Sequence, residues 1–172
     1  MRRLLRRLLR RGLAVAPAVV LVAACGSTPE SSSMTSLPDD ATVTYAFHDA
    51  SVPPAYHRSI TLTVTRDASR IVVDSYGDVL ADEQVPTPDA VWDALGSTVP
   101  DVASLTVAGP EEGCVGGTGI DLTVATPADT LVDLEPQFCG GSNEAVGAEI
   151  TAWVAPARAL FAPTDVLAPE GA

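Results

Sequence analysis

Hydrophobic and polar residues alternate in several short stretches of the chain, and this period of two is typical of strands that bury one face. Turn-forming residues separate the stretches, so neighbouring strands are expected to run antiparallel. The predicted strands are Thr42–Phe47, Ser59–Thr65, Arg70–Tyr76, Val79–Val85, Ser104–Ala108, Ile120–Thr126 and Thr130–Phe138.

A first helix is predicted after the fourth of these strands. Thr87 offers an N-cap, Pro88 suits the first helical position, and Asp89 places an acid in the first turn. Gly96 lies where a short helix should stop. The stretch contains Trp92 and is expected to pack on the sheet.

A second helix is predicted after the last strand, beginning near Ser142 or Asn143. Apolar residues there recur at steps of four and three, which places them on one helix face. They are Val146, Ile150, Trp153, Ala157 and Leu160. Pro156 falls inside this helix, removes one hydrogen bond and clashes with the carbonyl of Ala152, so we expect a kink or break there.

The two halves of the chain are similar to each other. A shift of 60 residues aligns Ile60–Val73 with Ile120–Asp133 at six identical positions out of 14. Any two amphipathic hairpins share Val, Leu and Thr, so chance similarity remains an alternative. We predict an α+β fold in which two repeated β-meander plus helix units, about 41–100 and 101–162, form one antiparallel sheet with both helices on one face.

The N-terminus has the three parts of an export signal. Arg2–Arg11 is cationic, Leu13–Ala24 is apolar, and Val22-Ala23-Ala24 ends with small side chains. A helix of 12 residues spans only ~18 Å of a hydrocarbon core about 30 Å thick, so a permanent spanning helix is disfavoured. We therefore predict that residues 1–24 are a cleaved signal peptide.

The segment Val22-Ala23-Ala24-Cys25 resembles the lipobox of bacterial lipoproteins. The resemblance implies that the Cys25 thiol takes a diacylglycerol, that Cys25 becomes the first residue, and that the membrane is a partner through this anchor. An ordinary signal peptide with a nearby Cys, or a hydrophobic N-terminal helix after a misread start, are the alternatives. The stretches Ser51–Ser59 and Val73–Asp78 also look like parts of uncharacterised secreted lipoproteins of high-GC bacteria, to which no activity is attached.

Composition and charge divide the rest of the chain. Residues 26–40 are rich in Ser, Thr, Pro and acid, so residues 25–40 are predicted to be the lipidated Cys and a flexible linker. Residues 41–162 should fold as one domain, with a frayed tail at 163–172. Past residue 11 the chain has four Arg against 22 acidic residues, a charge of −18, which excludes a phosphate-tracking nucleic-acid binder.

Two cysteines remain if Cys25 is lipidated, and export places them in an oxidising compartment. Only one bridge is then possible, Cys114 to Cys139. If the second hairpin turns at Pro127-Ala128, both positions lie at similar distances from the turn, which suits a cross-strand disulfide. The chain-entropy model gives roughly 3 kcal/mol for a loop of this size.

Both histidines, His48 and His57, lie within the segment Tyr45–Ser59, the most distinctive in the chain. A first hairpin turning at Asp67-Ala68 would pair Leu62 with Val73 and place His57 opposite Asp78. The register predicts a polar cluster of Tyr56, His57, Arg58, Asp74, Tyr76 and Asp78. His57 could then act as a base oriented by Asp78, and Arg58 as a clamp for a carboxylate ligand. A solvated cross-strand ion pair is the simpler reading.

Other chemical motifs are missing from the sequence: it has no GxSxG elbow and no SxxK. Two histidines are too few for a convincing zinc site, and we expect neither a metal nor a cofactor. We therefore favour a non-catalytic, lipid-anchored, extracytoplasmic binding module, which holds an envelope or secreted protein through a loop such as Val52–Tyr56. The alternative is an envelope hydrolase or small-ligand sensor centred on His57, Asp78 and Arg58.

Overall fold

A seven-stranded antiparallel sheet and three helices make up the part of the chain that the computed structural model describes, residues 36–109, 116–139 and 141–171. The strands are β1 (Thr42–His48), β2 (Ser59–Val64), β3 (Ala68–Ser75), β4 (Asp78–Pro86), β5 (Thr118–Ala125), β6 (Thr130–Leu134) and β7 (Gln137–Phe138). The helices are α1 (Asp89–Ala103), α2 (Glu144–Arg158) and α3 (Thr164–Leu167). The predicted combination of an antiparallel sheet with helices is confirmed.

The strands lie in the order β4-β3-β2-β1-β5-β6, with β7 also paired to β5. β1 is therefore flanked by β2 and β5, the two strands that the sequence similarity aligns. Val43 lies opposite both Val64 and Val124, and Phe47 opposite both Ile60 and Ile120. Positions 60 residues apart thus occupy equivalent places on either side of one strand.

The two halves nevertheless differ in their elements. The predicted strand at Ser104–Ala108 is wrong, because this segment leaves α1 through a turn and pairs with no strand. The predicted strand Thr130–Phe138 is interrupted at Glu135-Pro136 and becomes β6 and β7. Pro136 has no N–H for a ladder, and its carbonyl accepts a hydrogen bond from Ile120 N at 3.0 Å. The sheet is therefore not built from two equal meanders.

Both long helices cover one face of the sheet, as predicted. Alternate residues of the central strands are buried there with the apolar faces of α1 and α2 in one core. Each fully buried Leu, Ile or Val side chain contributes about 1.5–3 kcal/mol of transfer free energy. Trp153 ties the helices together by donating its indole N–H to Leu95 O at 3.2 Å.

Two helix details differ from expectation. Helix α1 continues past Gly96 to Ala103, because a Cβ at Gly96 would lie 3.2 Å from Leu37 N, and glycine there admits close packing instead of ending the helix. Helix α2 begins at Glu144, close to the prediction, and runs through Pro156 to Arg158, so the predicted break is wrong.

Both ends of the folded part are more ordered than the predicted boundaries imply. Leu37, in the predicted linker, is 6% exposed and belongs to the core. The tail does not fray, because α3 forms and the segment after it binds to the connection between β1 and β2. The folded part therefore extends beyond 41–162 in both directions.

Candidate functional site

The residues that the sequence singled out lie together at one end of the sheet, where strands begin or end. β1 ends there at His48, β2 begins at Ser59, β3 ends at Ser75 and β4 begins at Asp78. We call this end of the sheet the loop end, and the connection 49–58 the loop platform. Antiparallel pairing brings the predicted polar cluster to the loop end, although its internal pairing differs from the prediction.

The predicted pairing of His57 with Asp78 is wrong. The first hairpin turns at Arg66-Asp67, where Thr65 N donates to Ala68 O at 2.9 Å, so Leu62 faces Ile71 and not Val73. The partner strand is thereby shifted by two residues, which preserves the buried face but changes every cross-strand pair. Asp78 faces Ser75 across the next turn and is exposed.

His57 is instead buried between the platform and the turn that follows β3. The residue is only 5% exposed. The ring stacks on Tyr76 with a centroid distance of 3.9 Å and an interplanar angle of 22°. Nδ1 accepts the backbone N–H of Tyr76 at 3.3 Å, and Nε2 lies 3.5 Å from Ser59 Oγ. These contacts hold the imidazole on both sides.

The hydrogen bonds of His57 oppose a catalytic role. Because Nδ1 faces an N–H donor, it must carry a lone pair, and the proton of the neutral ring is on Nε2. A base acting on Ser59 would need a lone pair at Nε2 and an acid at Nδ1, as in serine triads. Ser59 Oγ also accepts the backbone N–H of Asp49 at 3.1 Å. The arrangement is therefore that of a structural histidine.

Arg58 is also occupied within the fold. Its guanidinium donates to the carbonyls of Ala168 and His57, at 2.8 and 2.7 Å, and to the carbonyl of Pro169. A longer bond of 3.4 Å reaches Pro54 O. Because Arg58 is 9% exposed and bound to carbonyls on several sides, it fixes the C-terminal segment to the platform. These contacts occupy most of the guanidinium donors, and the role as a clamp for a carboxylate ligand stays a prediction.

The loop platform is held by hydrogen bonds from several elements. The carboxylate of Asp49 accepts the backbone N–H groups of Ala50 and Arg58, both at 2.8 Å. From β3, Ser75 Oγ donates to Pro54 O at 2.9 Å. From the C-terminal segment, Gly171 N donates to Ala55 O at 2.8 Å. The backbone of the platform is therefore fixed from both sides although it lies at the surface.

Tyr76 completes this support at a conformational cost. Its φ of 53° is in the left-handed region, and Gly77 follows at 91°, the pattern of a tight hairpin turn. Such a backbone costs a non-glycine residue about 1–3 kcal/mol. Stacking on His57 and a hydrogen bond of 2.6 Å from the Tyr76 hydroxyl to Val52 O compensate. Tyr76 thereby supports the platform although it is itself 55% exposed.

A cleft of about 310 Å³ lies beside this cluster. Both histidines line it, together with Asp49, Ser59 and Asp74, whereas Arg58 and Asp78 are not among its lining residues. His48 Nε2 is 2.7 Å from the carboxylate of Asp121 on β5. Within the described ranges, no group of three or more His, Cys, Asp or Glu side chains is arranged to hold a metal ion.

Comparisons with protein-family models, with curated proteins and with solved structures found no match for this chain. No helix in the described part of the chain has the length and apolar character needed to cross a membrane.

The predicted signal peptide, Cys25 and Cys114 lie outside the described residues. Cys139 lies just after β7. Its pairing with Cys114 stays a prediction.

Sequence reasoning missed the contribution of the C-terminal segment to the loop end. Its composition is that of a short Pro-containing tail, and the residue that fixes it, Arg58, is 110 positions away in sequence. The signal that could have found it is charge: Arg58 is one of only four Arg past residue 11, and the nearest acids in sequence, Asp49 and Asp67, are each nine positions away.

Proposed function

We propose that this chain is a lipid-anchored, extracytoplasmic interaction module of the cell envelope, without catalytic activity, which presents its loop platform to a protein partner. The anchor in this proposal is a diacylglycerol on Cys25. A Cys114–Cys139 bridge would stabilise the domain outside the cell.

The observation that carries the proposal is an exposed loop with a fixed backbone. Residues 53–56 are exposed, with Tyr56 at 53%. Hydrogen bonds from Ser75, Tyr76 and Gly171, which belong to two other segments, hold the carbonyls of Pro54, Val52 and Ala55. A loop that is ordered before binding loses less conformational entropy on association. Large aromatic side chains on such a loop supply most of the energy of typical protein interfaces. This combination supports recognition and offers no catalytic group.

The direction of β1 agrees with an anchored module. Asp39, just before β1, lies 4.0 Å from Arg66 in the turn between β2 and β3, at the end of the sheet opposite the loop end. β1 then runs from Thr42 to the loop end at His48, a rise of ~20 Å. The platform and the predicted linker therefore adjoin opposite ends of β1.

Exposed apolar residues extend the surface beyond the platform. Val79 and Leu80, on the edge strand β4, are 62% and 44% exposed and are separated from the Tyr76-Gly77 turn by Asp78 alone. With the proposed charge of −18, the domain should attract basic partners faster than acidic ones.

Site-specific photo-crosslinking in intact cells tests the proposal. A photoreactive residue at Tyr56 or Val79 should give one discrete cross-linked protein band. The same residue at Ser97, exposed on α1, is the matched control and should give none. The proposal is wrong if all three positions label alike, or if neither Tyr56 nor Val79 labels a protein.

The anchor and the disulfide need separate measurements. Intact-mass analysis of the membrane fraction should show a chain that begins at Cys25 and carries acyl groups. The thiols of Cys114 and Cys139 should be oxidised to a disulfide. Labelled palmitate should be lost in Cys25→Ser, and its retention would contradict the anchor.

A further inference from the structure

A long apolar groove lies between α2 and the sheet. It consists of two adjoining hollows of about 730 and 510 Å³, which share Tyr45, Thr151 and Ala155. Phe47, Ile120 and Phe138 line the first hollow from the sheet side. The groove therefore offers mainly hydrocarbon surface.

Small side chains on α2 keep the groove open. The residues of α2 that line it include Gly147, Ala148, Ala152 and Ala155, none larger than a methyl group. Between Glu144 and Arg158 the helix rises ~21 Å, so the opening is long enough for an extended acyl chain. A large side chain at any of these positions would have filled it.

One end of the groove is cationic. Arg158 lines the second hollow, and its guanidinium donates to Ala162 O at 2.8 Å and to Thr164 Oγ1 at 2.9 Å. A guanidinium has five N–H donors, so some remain for a ligand. Burial lowers the pKa of Arg158, while the nearby Tyr45 raises it.

Arg158 differs from two other arginines of this strongly acidic chain. Arg66 and Arg70 contact carboxylates at 2.9 and 2.6 Å. Among the described residues, no carboxylate lies within ion-pair distance of Arg158. Glu144, the acid that lines the groove, belongs to the first turn of α2, at the opposite end of the helix. An anionic group would therefore bind at the Arg158 end.

We propose that this groove binds an anionic amphiphile, with the acyl chain along α2 and the carboxylate or phosphate at Arg158. The ligand class follows from an apolar groove with a cation at one end, for which the described residues supply no carboxylate partner. It does not depend on the loop platform or on a protein partner.

The test uses a fluorescent long-chain fatty acid and the full chain carrying Cys25→Ser, so that no attached acyl group competes for the groove. We expect saturable binding of one probe per chain, displaced by palmitate. Ala155→Phe, which fills the place where both hollows meet, should weaken binding at least tenfold. Arg158→Gln should weaken the acid at least tenfold but change binding of the matching fatty alcohol less than twofold.

Controls distinguish these effects from loss of the fold. Arg70→Gln removes an exposed cation outside the groove and should leave binding unchanged. Circular dichroism and thermal unfolding check that each variant folds. If Arg158→Gln fails to fold, Ala155→Phe still tests the groove, because it leaves the contacts of Arg158 in place. Comparing palmitate with a lysophospholipid separates a carboxylate from a phosphate head group.

Several results would overturn the proposal. Absence of saturable binding would do so, as would binding that Ala155→Phe leaves intact. Equal losses of acid and alcohol in Arg158→Gln would refute the role of the cation. A dimer that Ala155→Phe dissociates, without probe binding to the monomer, would show that a second copy fills the groove.

Discussion

Gly147→Ala gives a sharp test of the packing between α2 and β7, because two physical effects predict opposite signs. In the middle of a helix, alanine is more stable than glycine by about 0.5–1 kcal/mol. A Cβ built on Gly147, however, would lie 2.3 Å from two ring carbons of Phe138. Real carbon atoms do not approach that closely, so the ring or the helix must move. Such overpacking costs about 1–3 kcal/mol.

We expect the steric cost to exceed the helical gain, so that Gly147→Ala lowers the free energy of unfolding by about 1–2 kcal/mol. Urea unfolding followed by Trp fluorescence measures this change. Removing the ring should reverse the sign: in a Phe138→Ala background, Gly147→Ala should stabilise by about 0.5–1 kcal/mol. Ala152→Gly, at an exposed position of the same helix, calibrates the helical contribution alone. A stabilising Gly147→Ala in the presence of Phe138 would refute the packing.

Three further predictions concern the buried guanidinium of Arg58, the buried phenol of Tyr45 and the exposed ion pair of Arg70 with Asp82. Arg58→Gln leaves the carbonyls of the C-terminal segment unpaired, so it should lower stability by about 2–4 kcal/mol and expose Ala168 to proteolysis, as mass mapping of the fragments would show. Burial raises the pKa of Tyr45 above its usual value, outweighing the opposing effects of Thr151 and Arg158. Its stabilising neutral form is present below the unfolded pKa, about 10, and is lost as pH rises through the folded value. Tyr45→Phe should therefore reduce the alkaline loss of stability measured by unfolding between pH 9 and 12, and an unchanged profile would contradict this. A hydrogen bond from Arg70 lowers the pKa of Asp82, so the contribution of this pair is present above the unfolded pKa and lost as pH falls. Arg70→Gln should return the NMR-measured pKa of Asp82 towards its ordinary value.

The sequence predicted the sheet more accurately than the site. Alternation in β1, β2 and β3 is strong because one face is buried, while the other carries Thr in β1 and β2 and includes Arg70 and Asp74 in β3. The strands and the buried face therefore agree with expectation. The register depended on one turn residue. Arg66-Asp67 and Asp67-Ala68 are similar as turn pairs, and only the bond from Thr65 N to Ala68 O distinguishes them.

The remaining differences come from contacts between residues far apart in sequence. Gly96 has the composition of a helix stop but contacts Leu37, about 60 positions earlier, and this tertiary packing overrides the local preference. Asn143 is the N-cap of α2, close to the predicted start, but its side chain makes no capping bond. Its Oδ1 accepts the N–H of Ala108 at 2.9 Å and its Nδ2 donates to Gln137 O at 3.1 Å, joining two segments that are far apart in sequence.

The equivalent placement of β2 and β5 about β1 has a consequence for folding. Two strands with nearly the same residues compete for the same two sides of one template. The connection to β2 spans residues 49–58, whereas the one to β5 spans 49–117. Closing the longer loop costs about 1.7 kcal/mol more in chain entropy. The shorter connection thus favours pairing of β2 with β1 before β5 arrives. In a circularly permuted chain opened between β1 and β2, that bias would disappear, and mispaired or strand-exchanged products should accumulate.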